Sequence, residues 1–156
     1  MTKRSIWVLN KYASGHEDGF ETRTMAIARE WVRSSHDCVV ICSNANHLIG
    51  NRDLPEPVEH RVLDGVHVVR LRTRRYDRTA SAQRVFSWIN FERVVLTADF
   101  SALPRPDVIV VSSLSLLSVI SGMALARRFG CPWVFEVRDI WPLTLVEEGG
   151  VSPRHP

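Results

Sequence analysis

Cysteine is scarce in this sequence, and no metal-ligand spacing accompanies it. The three cysteines, Cys38, Cys42 and Cys131, form an odd number without a C-x-x-C pair, and two of them lie within apolar runs. The six histidines are scattered along the chain and share no ligand spacing. We therefore expect buried free thiols in a reducing compartment, no disulfide framework and no bound metal.

The sequence also lacks the common signatures of cofactor and nucleophile chemistry. The loop after the first apolar run is neither G-x-G-x-x-G nor G-x-x-x-x-G-K-[ST], and no G-x-S-x-G motif occurs. The second apolar run ends in Ser43-Asn44, without an acid for a ribose diol, and no pair of acids directly follows the first run to hold magnesium. Dinucleotide-binding, P-loop and metal-dependent phosphoryl-transfer enzymes are therefore disfavoured, and we expect no cofactor.

Charge and N-terminal hydrophobicity are both modest. The sequence has twenty Lys and Arg residues and seventeen Asp and Glu residues, and the resulting net charge of +3 does not by itself indicate a class of binding partner. With 45% hydrophobic and 24% charged residues, the 156-residue chain has the composition of a single globular domain. The N-terminal apolar run from Ile6 to Leu9 is too short for a secretory signal, so export by that route is not expected.

One uncharged stretch, Val108 to Ala126, is long enough to span a membrane. It contains five serines and a glycine, however, and it begins with the β-branched block from Val108 to Val111. Beyond a Ser112-Ser113 turn, apolar residues recur at helical spacing as far as Arg128, before Gly130. The pattern predicts a buried strand, a turn and a helix instead of a membrane span.

Strand and helix patterns alternate along the rest of the chain. Apolar runs predict strands at Ser5–Asn10, Val39–Cys42, Asp107–Val111 and Pro132–Val137, and helical spacing predicts helices at 20–34, 81–100 and 114–128. Asp18 and Glu21, three residues apart, resemble a capping box at the start of the first helix. This order predicts an α/β fold, a Rossmann-like parallel sheet flanked by helices on both faces.

A hairpin is predicted at the edge of this sheet. Glu59 to Leu63 and Val66 to Leu71 alternate apolar and polar residues around Asp64-Gly65, a strong hairpin signal. Residues 44–57 between the second strand and the hairpin are polar and contain proline, so we expect a loop or insertion there.

Two loops at the carboxyl ends of the predicted strands are candidates for ligand contact, since ligands of open parallel sheets bind at that edge. The loop from Asn10 to Gly19 brings Gly19 to a helix start, where bare amides would favour an anion. Gly19 could equally serve only the entry into the helix. The last strand ends in Glu136, Arg138 and Asp139, which suit either ligand contact or a structural salt bridge beneath Trp141.

Two surfaces have a composition that allows partner binding. Residues 61–84 carry seven arginines and two aspartates, with Arg70, Arg72 and Arg74 on one face of the second hairpin strand. This arginine-rich patch is typical of a solvated surface, or of a surface that attracts anionic lipid or a lipid-linked pyrophosphate. Nucleic acid is not expected as a partner, because no RNA-binding aromatic signature lies beside the patch. Helix 81–100 contains more apolar residues than a single core-facing side would require. The remaining apolar side chains could contact a second domain or a membrane interface.

Several stretches in a particular order carry a family resemblance. They are Gly19 to Arg23, Ala28 to Val32, Ser43 to Leu48, Asp64 to Val66, Pro106 to Ile109 with Ser112-Ser113, and Phe135 to Pro142 continuing into Glu148 to Gly150. In this order and spacing they resemble the N-terminal half of a glycosyltransferase family 4 enzyme. The resembling branch comprises bacterial O-antigen and exopolysaccharide transferases and includes the N-acetyl-L-fucosamine transferases.

The resemblance implies a GT-B enzyme, in which two Rossmann-like domains face each other across a cleft. The N-terminal domain chiefly binds the acceptor, the C-terminal domain binds the nucleotide-sugar donor, and transfer proceeds with retention and without an obligatory metal. Residues 1–156 would be the N-terminal domain alone, without the donor-binding domain and with little activity by itself. The implied acceptor is a lipid-linked molecule or a glycan in cell-surface polysaccharide synthesis.

The resemblance also assigns residues by position. Gly19 would approach the donor phosphate or the transferring sugar, Glu21 and Arg23 would line the acceptor side, and Arg138 and Asp139 would be catalytic residues beside the reacting centre. Lys11, in the first loop, and Ser113, after the strand that ends at Val111, complete the expected substrate-binding set.

The sequence departs from many relatives at two of these places. Phe20 stands where a second glycine or a methionine is common, and Arg138 stands where histidine is common, so a role that rests on that histidine does not carry over. The resemblance further implies a cytoplasmic protein with peripheral contact at the inner face of the plasma membrane. The alternatives are a non-catalytic Rossmann-like module that docks a partner through helix 81–100, and another nucleotide-dependent transferase or epimerase of GT-B shape.

Overall fold

A computed structural model describes residues 2–76, 82–113 and 117–138. Eight strands and three α-helices form in these residues. The strands are β1 Ser5–Leu9, β2 Asp37–Ser43, β3 Ala45–Asn46, β4 Gly50–Asn51, β5 Val58–Leu63, β6 Val66–Leu71, β7 Val108–Ser112 and β8 Trp133–Glu136. The helices are α1 Arg23–Arg33, α2 Ala82–Thr97 and α3 Ser118–Phe129.

Six of the strands form one sheet in the order β5-β6-β2-β1-β7-β8. Strand β1 is central and pairs in parallel with β2 and β7, and the outer pairs β2-β6 and β7-β8 are parallel as well. Only β5 runs antiparallel, against β6. The predicted α/β, Rossmann-like parallel sheet with an edge hairpin is therefore confirmed.

Helices cover both faces of this sheet. On one face, α1 places Met25 and Ala28 against strand residues such as Val8 and Val40. On the opposite face, α2 and α3 cover a larger core, whose members include Trp7, Ile41, Val69, Phe91, Val95, Ile109 and Leu125. Because successive side chains of a strand point to opposite faces, the strands of the sheet centre are apolar on both sides, which explains their unbroken apolar runs.

The hairpin and the insertion before it also follow the sequence. Asp64 and Gly65 both adopt positive φ, at 49° and 82°, as a two-residue type I′ turn requires. A side chain at Gly65 would also meet Val32 of α1, since a Cβ atom there would lie 2.7 Å from its Cγ1. Residues 44–57, predicted as a loop or insertion, contain the small separate hairpin of β3 and β4.

The uncharged stretch from Val108 to Ala126 is not one helix. It forms β7 and most of α3, which ends at Gly130 in the left-handed conformation, as predicted. Residues 114–116, the predicted start of that helix, lie outside the described residues. Among the described residues, none of the helices is long and apolar enough to cross a bilayer.

The cysteines are free in the described structure. Cys38 and Cys42 are buried in β2, as predicted, and burial raises the pKa of Cys38 to about 12 and that of Cys42 to about 11. Cys131 is partly exposed. The two strand thiols are therefore protonated at neutral pH and act as small apolar core residues.

A glycine sets the distance between α3 and the sheet, and this contact gives a testable prediction. A Cβ atom at Gly122 would overlap the Cγ2 atom of Val111 in β7. We expect Gly122→Ala to lower the free energy of unfolding by about 1–3 kcal/mol, because overpacking outweighs the helix preference of alanine. Urea unfolding measures the change.

A double-mutant cycle tests the cause. Val111→Ala removes the methyl group that the new side chain meets, so the cost of Gly122→Ala should largely disappear in that background. Additive costs of the two substitutions would contradict the proposed steric contact.

Candidate functional site

The carboxyl ends of the five parallel strands lie at one edge of the sheet and bring polar residues together. Asn10 and Lys11 follow β1, Asn44 follows β2, Thr73 follows β6, Ser113 follows β7 and Arg138 follows β8. This is the edge at which open α/β sheets bind their ligands.

Four residues at this edge form one connected group, named here the edge cluster: Arg23, Ser113, Glu136 and Arg138. The Arg23 guanidinium, in the first turn of α1, forms an ion pair with the Glu136 carboxylate at the end of β8. The Ser113 amide donates to the Glu136 carbonyl at 3.0 Å, and the Arg138 amide donates to the Ser113 hydroxyl oxygen at 3.0 Å. Three predicted site residues, Arg23, Ser113 and Arg138, are thus brought together.

The electrostatics of the edge cluster favour an ionised Glu136. Partial burial raises the pKa of this carboxyl, but the hydrogen bond and charge of Arg23 and the charge of Arg138 outweigh burial and leave the pKa below its usual value. The carboxylate therefore neutralises Arg23, and the Arg138 side chain is exposed at the rim. The cluster can offer a cationic group to an anionic ligand while its anionic member is already paired. Asp139, the second predicted catalytic residue, and Trp141 lie outside the described residues.

Gly19 differs from its prediction. It follows a short 3-10 helix, His16–Asp18, and its amide donates to the His16 carbonyl at 2.9 Å. The expectation of a bare amide at a helix start is therefore wrong, because α1 begins only at Arg23, after Thr22. The backbone of Gly19 has a φ of 85°, which favours glycine at this position. In the part of the chain that the structure describes, no atom beyond its chain neighbours lies within 4 Å of where a Cβ atom would stand. Close approach of a ligand to this open backbone stays a prediction.

Glu21 lies between two cationic partners. Its carboxylate contacts His16 Nε2 at 3.1 Å and Arg29 Nη2 at 2.5 Å. Arg29 in turn reaches Asp64 of the hairpin turn at 3.3 Å. Glu21 therefore joins the first loop to α1, and the capping box expected from Asp18 and Glu21 does not form, since Thr22 occupies the N-cap of α1. The predicted acceptor contact of Glu21 stays a prediction.

Lys11, which was predicted to bind substrate, is buried. Its ammonium group donates to Ser43 Oγ at 3.3 Å, to the Ala45 carbonyl at 3.3 Å and to Ser87 Oγ at 3.0 Å. Only 3% of the residue is exposed, and Ser87 and Phe91 of α2 lie against its ammonium group. Burial lowers its pKa to about 7, against the opposing charge of Glu92. Lys11 therefore connects β1, the residues that follow β2, and α2. Its predicted contact with substrate stays a prediction.

A buried ion-pair network beside the first loop was not predicted from the sequence. Asp18 Oδ2 accepts from Arg70 Nη2 at 2.6 Å and from the Gly15 amide at 3.3 Å, and Asp18 Oδ1 accepts from Arg52 Nη1 at 2.9 Å. Glu59 lies 3.5 Å from the other Arg70 nitrogen. The network fixes the loop that carries Gly19 to the hairpin and to the insertion.

Arg70 itself corrects the prediction of a solvated arginine face. Its side chain is 2% exposed, as is that of Asp18, whereas Arg72 and Arg74 are exposed as expected. A signal for this burial was available, because Arg70 follows Val66 and Val68 at two-residue spacing on the face that α1 covers.

A groove lies beside the edge cluster, on the α1 face of β7 and β8. Its volume is about 300 Å³, and the Arg23–Glu136 ion pair lies at its wall. Its lining is otherwise mainly apolar: Val8, Thr24, Ile27, Trp31, Val110 and Val134. Across residues 2–138, with the two gaps given above, no three His, Cys, Asp or Glu side chains lie close enough to hold a metal ion.

Comparison with known proteins identifies the family. No curated protein matches the sequence. Among solved structures, the C-terminal domain of a hydrogenase from Pyrococcus furiosus has a similar fold, with a TM-score of 0.55 and 12% identity over 88% of this chain and 94% of that one. Residues 18–156 match the profile of the glycosyl transferase 4-like domain. Because this match covers most of the chain, including every residue of the edge cluster, the protein belongs to the glycosyl transferase 4-like domain family.

Proposed function

We propose that residues 1–156 are the acceptor-side domain of a retaining glycosyltransferase. The enzyme would move a sugar from a nucleotide-sugar to a lipid-linked or glycan acceptor during cell-surface polysaccharide synthesis, at the cytoplasmic face of the membrane. The resemblance to N-acetyl-L-fucosamine transferases makes an amino-deoxy sugar the first donor to test. The observation that carries the proposal is the edge cluster, in which three residues expected from the family resemblance meet at the ligand-binding edge of the sheet.

The proposed chemistry needs a positive charge at this edge. In glycosyl transfer, the bond between the anomeric carbon and the donor diphosphate breaks, and a bond from that carbon to the acceptor oxygen forms. The proton of the acceptor hydroxyl passes to the departing diphosphate or to solvent. Negative charge develops on the departing diphosphate, and a fixed cation beside it lowers the barrier. Arg138 is the proposed cation, because the hydrogen bond to Ser113 fixes its backbone and its side chain is exposed. Asp139, the next residue, is proposed to act beside it.

The rest of the edge cluster would position these groups. The Arg23–Glu136 ion pair ties the first turn of α1 to the end of β8, so the strand end that carries Arg138 is held against the helix that follows Gly19. Gly19 and Glu21 would then line the neighbouring part of the crevice. In this proposal most donor contacts come from a second domain of the enzyme, so residues 1–156 alone should bind a nucleotide-sugar weakly.

A kinetic comparison of matched arginine variants tests the proposal in the protein encoded by the complete gene. A panel of nucleotide-sugars is supplied with a lipid-linked glycan extract, and release of nucleoside diphosphate is followed. We expect Arg138→Ala to lower kcat by about 100-fold or more, the usual loss when a group that stabilises transition-state charge is removed. Arg127→Ala, which removes an exposed arginine from the last turn of α3, is the control and should leave kcat unchanged.

Two results would contradict the proposal. Unchanged kinetics of Arg138→Ala would remove the edge cluster from catalysis and favour the alternative, a binding module in which the Arg23–Glu136 ion pair is purely structural. Full transferase activity from residues 1–156 alone would refute the division of donor and acceptor binding between two domains.

A further inference from the structure

Helix α2 is apolar on its outward side as well as on its buried side. Phe91 and Val95 point into the core, whereas Val85, Phe86, Ile89 and Leu96 are 45%, 56%, 51% and 41% exposed. The exposed four recur at spacings of three, four and seven residues, so they lie along one side of the helix. We call them the outer stripe of α2.

The outer stripe differs from the other exposed apolar residues of the described structure. Val62, Val134 and Val137 belong to β-strands or their ends, Phe20 and Leu48 lie in loops, and Ile120 is a single exposed apolar residue of α3. Single exposed residues of this kind are ordinary on soluble proteins. The outward side of α1, by comparison, carries Arg33 and Glu30, paired with each other and well exposed. Among the described helices, only α2 therefore has several exposed large apolar residues along one side, a pattern that marks an interaction surface.

Arginines border the outer stripe. The Arg74 guanidinium lies 6.0 Å from the ring centre of Phe86. Arg93, four residues after Ile89, is exposed among the stripe residues. The single carboxylate of α2, Glu92, is buried, so α2 itself contributes no exposed negative charge to this surface.

We propose that the outer stripe of α2 docks on an anionic lipid bilayer. The four apolar side chains would enter the boundary between headgroups and acyl chains, with the helix in the plane of the membrane, and the arginines would contact lipid phosphates. The inference rests on the proposed function for its purpose, which is to bring the edge cluster close to a lipid-linked acceptor. Membrane docking can be measured without transfer activity, however, so the docking surface and the proposed function can be refuted separately.

The arginines favour a membrane over a second copy of the chain. In a two-fold symmetric contact through the outer stripe, the same surface meets itself, and the arginines of one copy would face those of the other. Like charges opposed in an interface are unfavourable. A bilayer containing anionic lipid instead supplies phosphates opposite every arginine.

Vesicle sedimentation with the 156-residue chain tests the docking surface. The probes are phosphatidylcholine vesicles with and without phosphatidylglycerol, at low and high ionic strength. We expect the chain to bind the anionic vesicles, to bind the neutral ones much less, and to be released by salt, which screens charges at the membrane surface.

Variants locate the contact. Phe86→Ser with Ile89→Ser should lower the partition coefficient by about tenfold or more, since burial of large apolar side chains drives interfacial binding. Arg74→Gln and Arg93→Gln should each lower it roughly fivefold on anionic vesicles. Val134→Ser is the control: it removes an apolar residue that is 54% exposed on the opposite, α1 side of the sheet, and it should bind like the wild type.

Each contrary result overturns the proposal. Thermal unfolding first establishes that the variants fold like the wild type, as expected for substitutions at half-exposed positions. If the double serine variant unfolds at a lower temperature, Phe86→Tyr with Ile89→Thr replaces it.

The membrane contact is refuted if the wild type does not bind anionic vesicles, or if the stripe variant binds them as well as the wild type does. Concentration-dependent dimerisation that is lost in the stripe variant, without lipid binding, assigns the surface to a second copy. Lost vesicle binding with normal transfer to a soluble glycan leaves the proposed function intact.

Discussion

Asp18→Asn is expected to lower the free energy of unfolding by about 3–5 kcal/mol, the usual loss when one partner of a buried ion pair is removed. The side chains of Asp18 and Arg70 are each 2% exposed, and the Asp18 carboxylate also accepts from Arg52 and from the Gly15 amide. The substitution leaves the Arg70 guanidinium in the interior with only Glu59, at 3.5 Å, to balance its charge. Urea unfolding of the wild type and the variant measures the difference.

The cause of this loss can be separated from a general effect of removing charge. Glu30→Gln removes a carboxylate from an exposed ion pair on α1, and we expect a change below about 1 kcal/mol. Arg70→Met in the Asp18→Asn background should recover much of the lost stability, because no uncompensated charge then remains inside. A loss from Asp18→Asn as small as that from Glu30→Gln would contradict the buried pair.

The second large effect concerns Lys11 and pH. The pKa of Lys11 falls from 10.5 to about 7 in the folded chain, so in this interval the unfolded chain binds a proton that the folded chain does not. Stability should therefore rise with pH between about 7 and 10.5, and below pH 7 the full penalty of burying the ammonium applies. The contribution of Lys11 amounts to roughly 1 kcal/mol per pH unit within the interval.

Lys11→Met should remove this dependence. A methionine side chain fills a similar space without a charge, so the difference in stability between variant and wild type should be largest at low pH and shrink as pH rises through the interval. The comparison uses urea unfolding over that interval. Lys3→Met, at an exposed position, is the matched control. A difference between Lys11→Met and the wild type that does not change with pH would show that the ammonium is not desolvated.

Local sequence patterns predicted the sheet because they act over a few residues. The β-branched run from Val108 to Val111 and the turn at Asp64-Gly65 each contain their own signal, and both appear as expected. The meeting of Arg23, Ser113 and Arg138 was also predictable, since carboxyl ends of parallel strands gather at one edge. The fold class and part of the candidate site therefore follow from short-range patterns and one topological rule.

The remaining site geometry depends on contacts between distant parts of the chain. Lys11 is buried because Ser87, 76 residues later, lies over it, and Arg70 is buried because it meets Asp18, 52 residues earlier. The prediction that Gly19 lies at a helix start was wrong for a different reason. A short 3-10 helix separates the loop from α1, and its three residues are too few to show a periodic pattern in the sequence. Residues whose environment is made by such remote segments are those that sequence patterns place wrongly.

The position of β1 at the centre of the sheet has a consequence for biosynthesis. Residues 6 to 9 pair with β2 on one side, about thirty positions along, but their other partner is β7, residues 108 to 111 in the ladder. At ribosomal rates of roughly 5–20 residues per second, the first strand made waits on the order of 5–20 s for its last neighbour. During that interval one side of a strongly apolar strand has no ladder partner, so the nascent chain is most exposed to aggregation before β7 is translated.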